Sequence, residues 1–295
     1  MVMLTGHCHA NVNRSFSHNL IIRDNINRLR KIRPEGQIRI LDVCCGKGQV
    51  FRDLTDRFTE EGRLHYTGID LDKKSLDELL VFANDKSLRE KVDLKRDSAL
   101  QTLSSLADMS YALVIFVNAL HEQPMKEVPL FLRQLFRVVS HPGFVSVFDI
   151  AELRYEEQEL SSLPIRFERM KEFLSELGPD GIQLAQLEEY RNDERIIAWS
   201  FNVALDNDSD RMQFVHALDS RQEQYIMSKL HAALVAQRIN IHEDILKLTN
   251  QWQRLFSATE PAETIKLQQR LDVHARDYWA CDFEIADLVS HMEAP

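Results

Sequence analysis

The glycines of this 295-residue chain are confined to its first part, and their distribution constrains the fold more than any other feature. All nine lie at or before Gly181, and the residues from Leu205 onward contain none. Before the polar stretch Asp206-Asn-Asp-Ser-Asp210, short β-branched or aromatic runs alternate with helical periodicity, and after it the periodicity is helical throughout. The sequence therefore predicts an α/β part followed by an all-helical part.

Seven short apolar runs in the first part have the length and composition of β-strands. The run Tyr111–Val117 is almost continuously apolar, as is typical of a central strand covered on both faces. Helical segments such as Ser75–Asn84 and Val128–Val139 separate the runs, and the polar turn Arg191–Glu194 suits an antiparallel pair. This order predicts a doubly wound, mostly parallel seven-strand sheet with an antiparallel last strand. The predicted strands are Ile38–Val43, Arg63–Asp70, Val92–Arg96, Tyr111–Val117, Gly143–Asp149, Ile182–Tyr190 and Arg195–Ala204.

The second part carries apolar residues at heptad spacing, which predicts long amphipathic helices. One helix is expected over Arg211–Gln237, a second around Ile241–Leu255 and a third over Thr264–Met292. They suggest a cap over the sheet, a dimerisation bundle, or both. The expected organisation is an N-terminal helical segment (residues 1–37), a sheet domain (38–205) and a helical cap or dimerisation region (206–295).

Charge and composition restrict the partners of the chain. Its formal net charge of −10 disfavours a non-specific grip on nucleic acid or on an anionic membrane. A local basic cluster over Arg14–Arg39 holds seven basic residues against two acids, and we interpret it as a solvated helix face rather than a phosphate-binding patch.

No apolar run approaches the roughly 20 residues needed to cross a bilayer, and no secretory signal is recognisable at the N-terminus. The four cysteines include an adjacent pair and form no C-x-x-C, and the histidines lack metal-ligand spacing. We therefore expect a soluble cytoplasmic protein without a metal or a disulfide framework.

The loops after the predicted strands are where a ligand should bind, because ligands of open α/β sheets lie beyond the carboxyl ends of the strands. The first such loop is Asp42-Val-Cys-Cys-Gly-Lys-Gly48, whose two glycines permit a sharp turn. Asp70 ends the second strand, and Asp97 follows the third. A dinucleotide fingerprint requires a small residue where this chain has Phe51, and the charge of Asp42 suits an ammonium better than a phosphate. A ligand with a ribose and an amino-acid tail, S-adenosylmethionine, fits better than NAD.

Several segments, in the right order and spacing, resemble successive motifs of the class I S-adenosylmethionine-dependent methyltransferases. The resemblance covers roughly Ile38 to Ala204 and implies that residues 38–205 form the cofactor-binding methyltransferase domain. The departure from the family's pattern is the pair Cys44-Cys45, which we interpret as small loop or core residues rather than nucleophiles. The matching segments are Ile40-Leu-Asp-Val-Cys-Cys-Gly-Lys-Gly48, Tyr66-Thr-Gly-Ile-Asp-Leu71, Arg96-Asp-Ser98, Tyr111-Ala-Leu-Val-Ile-Phe-Val-Asn-Ala-Leu-His121 and Leu135-Phe-Arg-Val-Val-Ser-His-Pro-Gly143.

The resemblance assigns a role in binding S-adenosylmethionine to residues at four strand ends. The first loop would surround the methionine moiety, the second strand end would hold the ribose and contact the adenine, the third would contact the adenine amino group, and the fourth would lie beside the methyl donor. In that order the residues are Asp42, Cys44, Gly46 and Gly48, then Asp70 and Leu71, then Asp97 and Ser98, and finally Asn118.

The methyl acceptor is less constrained by the sequence. The Asn/Asp-Pro-Pro-Tyr/Phe signature for methylation of base or glutamine nitrogens is absent, since Asn118-Ala-Leu-His121 stands in its place. His121 and Glu122 are candidates for a general base, with the alternative that His121 only lines a pocket or caps a helix. The leading hypothesis is methyl transfer to oxygen or nitrogen of a small molecule. A cap-like RNA methyltransferase and a non-catalytic assembly protein are the alternatives.

Overall fold

One seven-strand sheet organises the chain in the computed structural model, which describes residues 17–60, 62–151, 163–175, 177, 182–183, 185–191, 194–219, 223–256 and 261–293. The strands are β1 (Ile38–Val43), β2 (Leu64–Asp70), β3 (Val92–Arg96), β4 (Tyr111–Val117), β5 (Val139–Ile150), β6 (Ala185–Arg191) and β7 (Glu194–Leu205).

The strand order across the sheet is β3-β2-β1-β4-β5-β7-β6. Strands β1 to β5 pair in parallel, whereas β7 runs antiparallel to both β5 and β6. This confirms the predicted doubly wound, mostly parallel sheet with an antiparallel last strand. The order reverses between β1 and β4, so their carboxyl ends flank the place where ligands bind in such sheets.

The strand bounds differ from the prediction chiefly in β5 and β6. Pro142 and Gly143, which end the matching segment Leu135–Gly143, lie within β5. The pairing of β5 with β4 skips from Tyr111↔Val139 to Leu113↔Phe144. Gly143 is needed in the resulting bulge, because a Cβ there would lie 2.2 Å from the carbonyl oxygen of Ser140. Strand β6 begins at Ala185 and not at Ile182.

Two hydrophobic cores cover the two faces of the sheet. Along β1, Ile40 points into one core and Leu41 into the other, as the period-2 geometry of a strand requires. The first core is covered by α1 (Ser17–Ile32), α2 (Gln49–Asp53), α3 (Thr55–Glu60) and α4 (Lys73–Asp85). The second is covered by α5 (Ala99–Ser105), α6 (Val128–Val138), α7 (Phe167–Leu174), α8 (Asp208–Ala217), α9 (Glu223–Phe256) and α10 (Pro261–Met292).

The predicted helix Arg211–Gln237 is wrong, because α8 ends at Ala217 and α9 begins at Glu223. Helix α9 instead continues without a break through residues 238–240, where the prediction ended one helix and began the next. Gln237 is buried rather than at a helix end, and its side chain bonds the carbonyl oxygen of Pro164 and the amide of Arg166. None of the helices that the structure describes has the length and apolar character needed to cross a bilayer.

Candidate functional site

The loop between β1 and α2 is wound tightly by three residues in the left-handed region. Cys44, Gly46 and Gly48 have φ values of 55°, 52° and 70°. Two features exclude a side chain at Gly48. Its left-handed φ disfavours any residue with a Cβ, and a Cβ there would lie 2.5 Å from both terminal methyl groups of Leu79 in α4. Lys47 at the turn pairs with Glu78 of α4 at 2.9 Å. The loop is therefore fixed against α4 by close packing and by an ion pair.

Asp42 lies buried beneath this loop and has an unusual partner. Its Oδ2 accepts a hydrogen bond of 2.6 Å from the phenolic hydroxyl of Tyr66 on β2. Burial raises the pKa of the Asp42 carboxyl to about 7, the Tyr66 hydrogen bond opposes that rise, and the nearby Asp70 adds to it. Among the described residues, no lysine or arginine forms an ion pair with Asp42, so its carboxylate is suited to a cationic ligand group.

Asp70, at the end of β2, ties the first two strand ends together. Its Oδ2 accepts from the backbone amide of Gly46 at 2.6 Å, and its Oδ1 accepts from the amide of Asp72 at 2.8 Å. Burial raises the pKa of Asp70, whereas these two amide bonds lower it. A carboxylate offers about four lone-pair positions, so hydroxyl groups of a ligand can still donate to it.

The ends of β2 and β3 are open to solvent. The side chain of Leu71 is exposed, and the Nε of Arg96 lies 3.5 Å from its carbonyl oxygen. Asp97 is also exposed, and its Oδ1 accepts from the amide of Ser98, the residue preceding α5. The structure thus places Leu71, Asp97 and Ser98 on the rim of the sheet, whereas Asp42 and Asp70 lie within it.

Asn118 holds the end of β4 against β5. It has a left-handed φ of 53°, and its amide donates to the carbonyl oxygen of Phe148 at 2.8 Å. The chain then enters the 3₁₀ turn Leu120–Glu122, which carries both candidate bases.

His121 is buried and is held at two points by Asp149, the penultimate residue of β5. Its Nδ1 lies 2.6 Å from Asp149 Oδ1, and its backbone amide donates to Asp149 Oδ2 at 2.7 Å. A carboxylate oxygen can only accept, so Nδ1 is the donor when a hydrogen bond forms at this contact, and Nε2 is the other nitrogen of the ring. Glu122 Oε1 lies 3.9 Å from that nitrogen. The two contacts with Asp149 fix the orientation of the imidazole ring.

The turn that carries His121 adjoins the glycine loop. The side chain of Gln123 bonds the carbonyl oxygen of Ala119, and its Nε2 lies 4.0 Å from Cys44 Sγ. Cys45 is buried in the first core, where burial raises the pKa of its thiol well above the ordinary value, so it is a core residue and not a thiolate. The structure therefore brings the predicted cofactor loop and the predicted base together at the carboxyl edge.

The C-terminal helices anchor the segments on either side of His121. The amide of Met125 donates to Glu284 of α10 at 2.8 Å, and Lys126 pairs with Asp287 of the same helix at 3.0 Å. The carbonyl oxygen of His121 accepts from Leu163, and the segment that follows is bound by Gln237 of α9. Both helices are thus attached to the part of the chain that positions the imidazole.

The N-terminal basic cluster is largely engaged within the protein. Arg23 bonds Asp56 and the carbonyl oxygen of Asp53, and Arg33 bonds Ser140 and Pro142. The guanidinium groups of Arg28 and Arg39 lie 4.7 Å from the ring centroids of Phe144 and Tyr111. Arg23 and Arg33 therefore have polar partners within the protein, whereas Arg28 and Arg39 are exposed and lie over aromatic rings.

Sequence reasoning missed two residues of this site, Tyr66 and Asp149. Tyr66 is within β2, and no motif distinguishes a tyrosine that bonds a neighbouring strand from one that only fills the core. Asp149 had a usable signal, because it ends the predicted strand Gly143–Asp149 at the same carboxyl edge as the other acids. Only the adjacency of β4 and β5 shows that it meets His121.

A family model described as a methyltransferase domain matches residues 40–143, from β1 into β5. A comparison with curated protein sequences gives no match.

Solved structures with a similar fold include several methyltransferases. TehB from Haemophilus influenzae is 12% identical, with 63% of this chain and 62% of that chain covered and a TM-score of 0.44. The bifunctional kinase-methyltransferase WbdD is 15% identical over 65% of this chain and 40% of that chain, with a TM-score of 0.49. Magnesium protoporphyrin IX methyltransferase from Synechocystis PCC 6803, with bound S-adenosylmethionine, is 15% identical over 63% of this chain and 80% of that chain, with a TM-score of 0.43. The alignment spans less than two thirds of TehB and of WbdD, and these likenesses carry no information about an acceptor.

Proposed function

We propose that this chain, which a methyltransferase domain model matches over residues 40–143, is a class I S-adenosylmethionine-dependent methyltransferase. It would transfer the methyl group to an oxygen or nitrogen of a small molecule, with His121 as the general base. The observation that carries this proposal is the buried His121–Asp149 pair beside the glycine loop.

The residues of the first two strand ends fit the proposed cofactor. Asp42 is a buried carboxylate without a cationic partner among the described residues, as expected of a site that receives a ligand ammonium. Asp70 has unused acceptor capacity for ribose hydroxyls. We assign the methionine end to Asp42, Cys44, Gly46 and Gly48, the ribose and adenine to Asp70, Leu71, Asp97 and Ser98, and the vicinity of the methyl group to Asn118.

When bound, S-adenosylmethionine supplies an electrophilic methyl group on a sulfonium. The protein has to align the acceptor with that group and remove its proton. His121 Nε2 would accept the proton that the acceptor loses on methylation, and Asp149 would stabilise the resulting imidazolium through Nδ1–H. Glu122, 3.9 Å away, adds negative charge that favours the same cation.

A small acceptor is favoured by the charge and by the helices. The net charge of −10 and the engaged arginines of the basic cluster work against an RNA substrate. Helices α9 and α10 are attached beside His121, where a cap would enclose a small molecule. We further propose that the protein acts in the cytoplasm, and as a homodimer through these helices.

The cofactor half of the proposal is tested by calorimetric titration with S-adenosylhomocysteine. We expect micromolar-range binding to the unmodified protein and its loss in Asp70→Ala. Asp93→Ala, which removes an exposed carboxylate near the opposite end of the adjacent strand, should bind like the parent. No binding to the parent protein would refute the proposal.

The acceptor half is tested by following radiolabelled methyl groups into a low-molecular-mass metabolite extract and, separately, into capped RNA. Label in the metabolite fraction that depends on His121 supports the proposal. Label in RNA would establish the cap-like alternative instead. Binding without transfer to either fraction would favour the non-catalytic alternative.

A further inference from the structure

The outer surface of the α9–α10 hairpin carries large apolar side chains that a helix exposed to water does not need. On α9, Tyr225, Ile239 and Leu246 are half-exposed or more and are separated by 14 and 7 residues. On α10, Ile265 and Trp279 are again 14 residues apart, and Phe283 lies one turn beyond Trp279. Multiples of seven place residues on the same side of a helix.

The two stripes lie on the same side of the hairpin. The helices run antiparallel, with Arg238 paired to Asp282 and the rings of His242 and Tyr278 6.0 Å apart. Ile239, Phe283 and Trp279 each follow one of these seam residues directly. A step of one residue turns by about 100° around a helix, and in an antiparallel pair it leads from the seam to the same face on both helices.

The sheet domain contacts other residues of the hairpin. Gln237, Asp244, Glu284 and Asp287 bond or pair with residues 125–126 and 163–166. Trp279 and Phe283 are 69% and 70% exposed at the centre of the outer face. We name this outer face, formed by Tyr225, Ile239, Leu246, Ile265, Trp279 and Phe283, the aromatic stripe.

We propose that the aromatic stripe binds the aromatic stripe of a second copy of this chain, so that two α9–α10 hairpins pack as a four-helix bundle. The inference deepens the homodimer of the proposed function by naming its surface. A two-fold interface requires one patch that is complementary to itself, and a heptad stripe on two adjoining helices meets that requirement.

The size of the face suits a stable dimer. Helices of 34 and 32 residues are about 50 Å long, and two helices side by side present a face about 20 Å wide. The resulting face of about 1000 Å² is comparable with the roughly 800 Å² per partner of a standard protein interface.

The charge of the region argues against other occupants. From Leu205 onward the chain has nine basic and fifteen acidic residues, so neither an anionic lipid surface nor a nucleic acid is attracted to it. Exposed tryptophan and phenylalanine at the centre of a face are typical of residues that dominate the energy of a protein interface.

The test is sedimentation equilibrium of the full chain over a range of concentrations. We expect a dimer for the parent protein and a dissociation constant raised by more than about a hundredfold in the double variant Trp279→Glu/Phe283→Glu. Val81→Glu, which places the same charge at an exposed apolar residue of α4, is the matched control and should leave the dimer intact.

Two results would overturn the inference. One is a monomeric parent protein. This result would overturn the inference whether or not the monomer also binds phosphatidylcholine vesicles in a co-sedimentation experiment. The other is a dimer that survives both glutamates, which would place the contact elsewhere. Circular dichroism of the variants shows whether they are folded, and neither this signal nor the measured mass depends on cofactor binding or methyl transfer, so failure here is distinguishable from failure of the proposed function. Leu246→Glu provides a second, single substitution on the same face.

Discussion

The carboxyl edge of the sheet has two halves that use the same residue type in different ways. At the ends of β1 and β2, Asp42 and Asp70 are bonded by a phenol and by backbone amides. At the end of β5, Asp149 is bonded by the imidazole of His121 and by the backbone amide of the same residue. The first two carboxylates are held by a phenol and by backbone amides, whereas the third orients an imidazole, the side chain that serves most often as a general base. What a strand-end aspartate does is thus decided by its neighbour.

The strongest way to break this comparison is to remove the imidazole. We expect His121→Gln to lower kcat by about 10² to 10⁴-fold, the usual contribution of a general base, while S-adenosylhomocysteine affinity changes less than twofold. Asp149→Asn should lower kcat as well and shift the pH–rate profile, because it stops fixing the Nδ1–H tautomer. The measurements are steady-state kinetics with the acceptor found by methyl labelling, and titration. A large loss of S-adenosylhomocysteine affinity in His121→Gln would contradict the comparison, because it would show that the imidazole also takes part in binding the cofactor.

The glycine loop at the ends of β1 and β2 should depend on its backbone geometry, whereas the end of β5 depends on the His121 side chain. We expect Gly48→Ala to destabilise the protein by about 2 kcal/mol or more, since a Cβ meets Leu79 at 2.5 Å and φ is +70°. Gly36 has a φ of +89°, but a Cβ there would meet open space. Gly36→Ala should therefore lower the free energy of unfolding by less, and its effect measures the backbone strain alone. Urea unfolding measures both. Equal losses for the two variants would show that the packing on α4 contributes nothing.

A smaller effect should appear in the pH dependence of cofactor binding. Because the pKa of Asp42 is about 7 in the free protein, the carboxyl is mostly protonated at pH 6, and a ligand ammonium must bind together with proton release. We expect S-adenosylhomocysteine affinity to rise roughly tenfold between pH 6 and pH 8, and calorimetry in two buffers of different ionisation enthalpy to detect the released proton.

The same carboxyl affects stability with the opposite sign. A pKa raised in the folded state means that stability is lost as pH rises from about 4 to about 7, with an upper bound of about 4 kcal/mol for a shift of about three units. Asp42→Asn should therefore flatten both profiles, and raise Tm at pH 8 relative to the parent protein. A parent affinity independent of pH would contradict the assignment of the ammonium to Asp42.

Much of the fold could be predicted because the strands are short apolar runs between turn residues. The bounds of β1, β3 and β4 agree with the prediction. The helical part was harder to divide. Leu218 and Asp219 end α8 without a glycine or proline, whereas the polar Gln237 is buried within α9 by tertiary hydrogen bonds. A sequence pattern cannot distinguish these cases.

The candidate site could be predicted only where its residues belong to a motif. Asp42, Gly46, Gly48 and Asp70 follow the family's spacing, and the structure brings the last three into one hydrogen-bonded and packed unit. Tyr66 and Asp149 could not be assigned, because each acts through a distant partner. Tyr66 bonds Asp42, 24 residues away, and Asp149 bonds His121, 28 residues away, and only the pairing of the strands brings them together. Their roles are properties of the sheet and not of the local sequence.

The bond between the Met125 amide and Glu284 joins positions that are 159 residues apart. A ribosome working at roughly 5–20 residues per second makes Met125 some 8–30 s before Glu284. Once β5 has also been synthesised, the nascent sheet can pair its first five strands, while the turn beside the imidazole still lacks its anchor on α10. A chain interrupted before α10 would therefore contain the glycine loop and the His121–Asp149 pair, but not the bond that ties Met125 to Glu284.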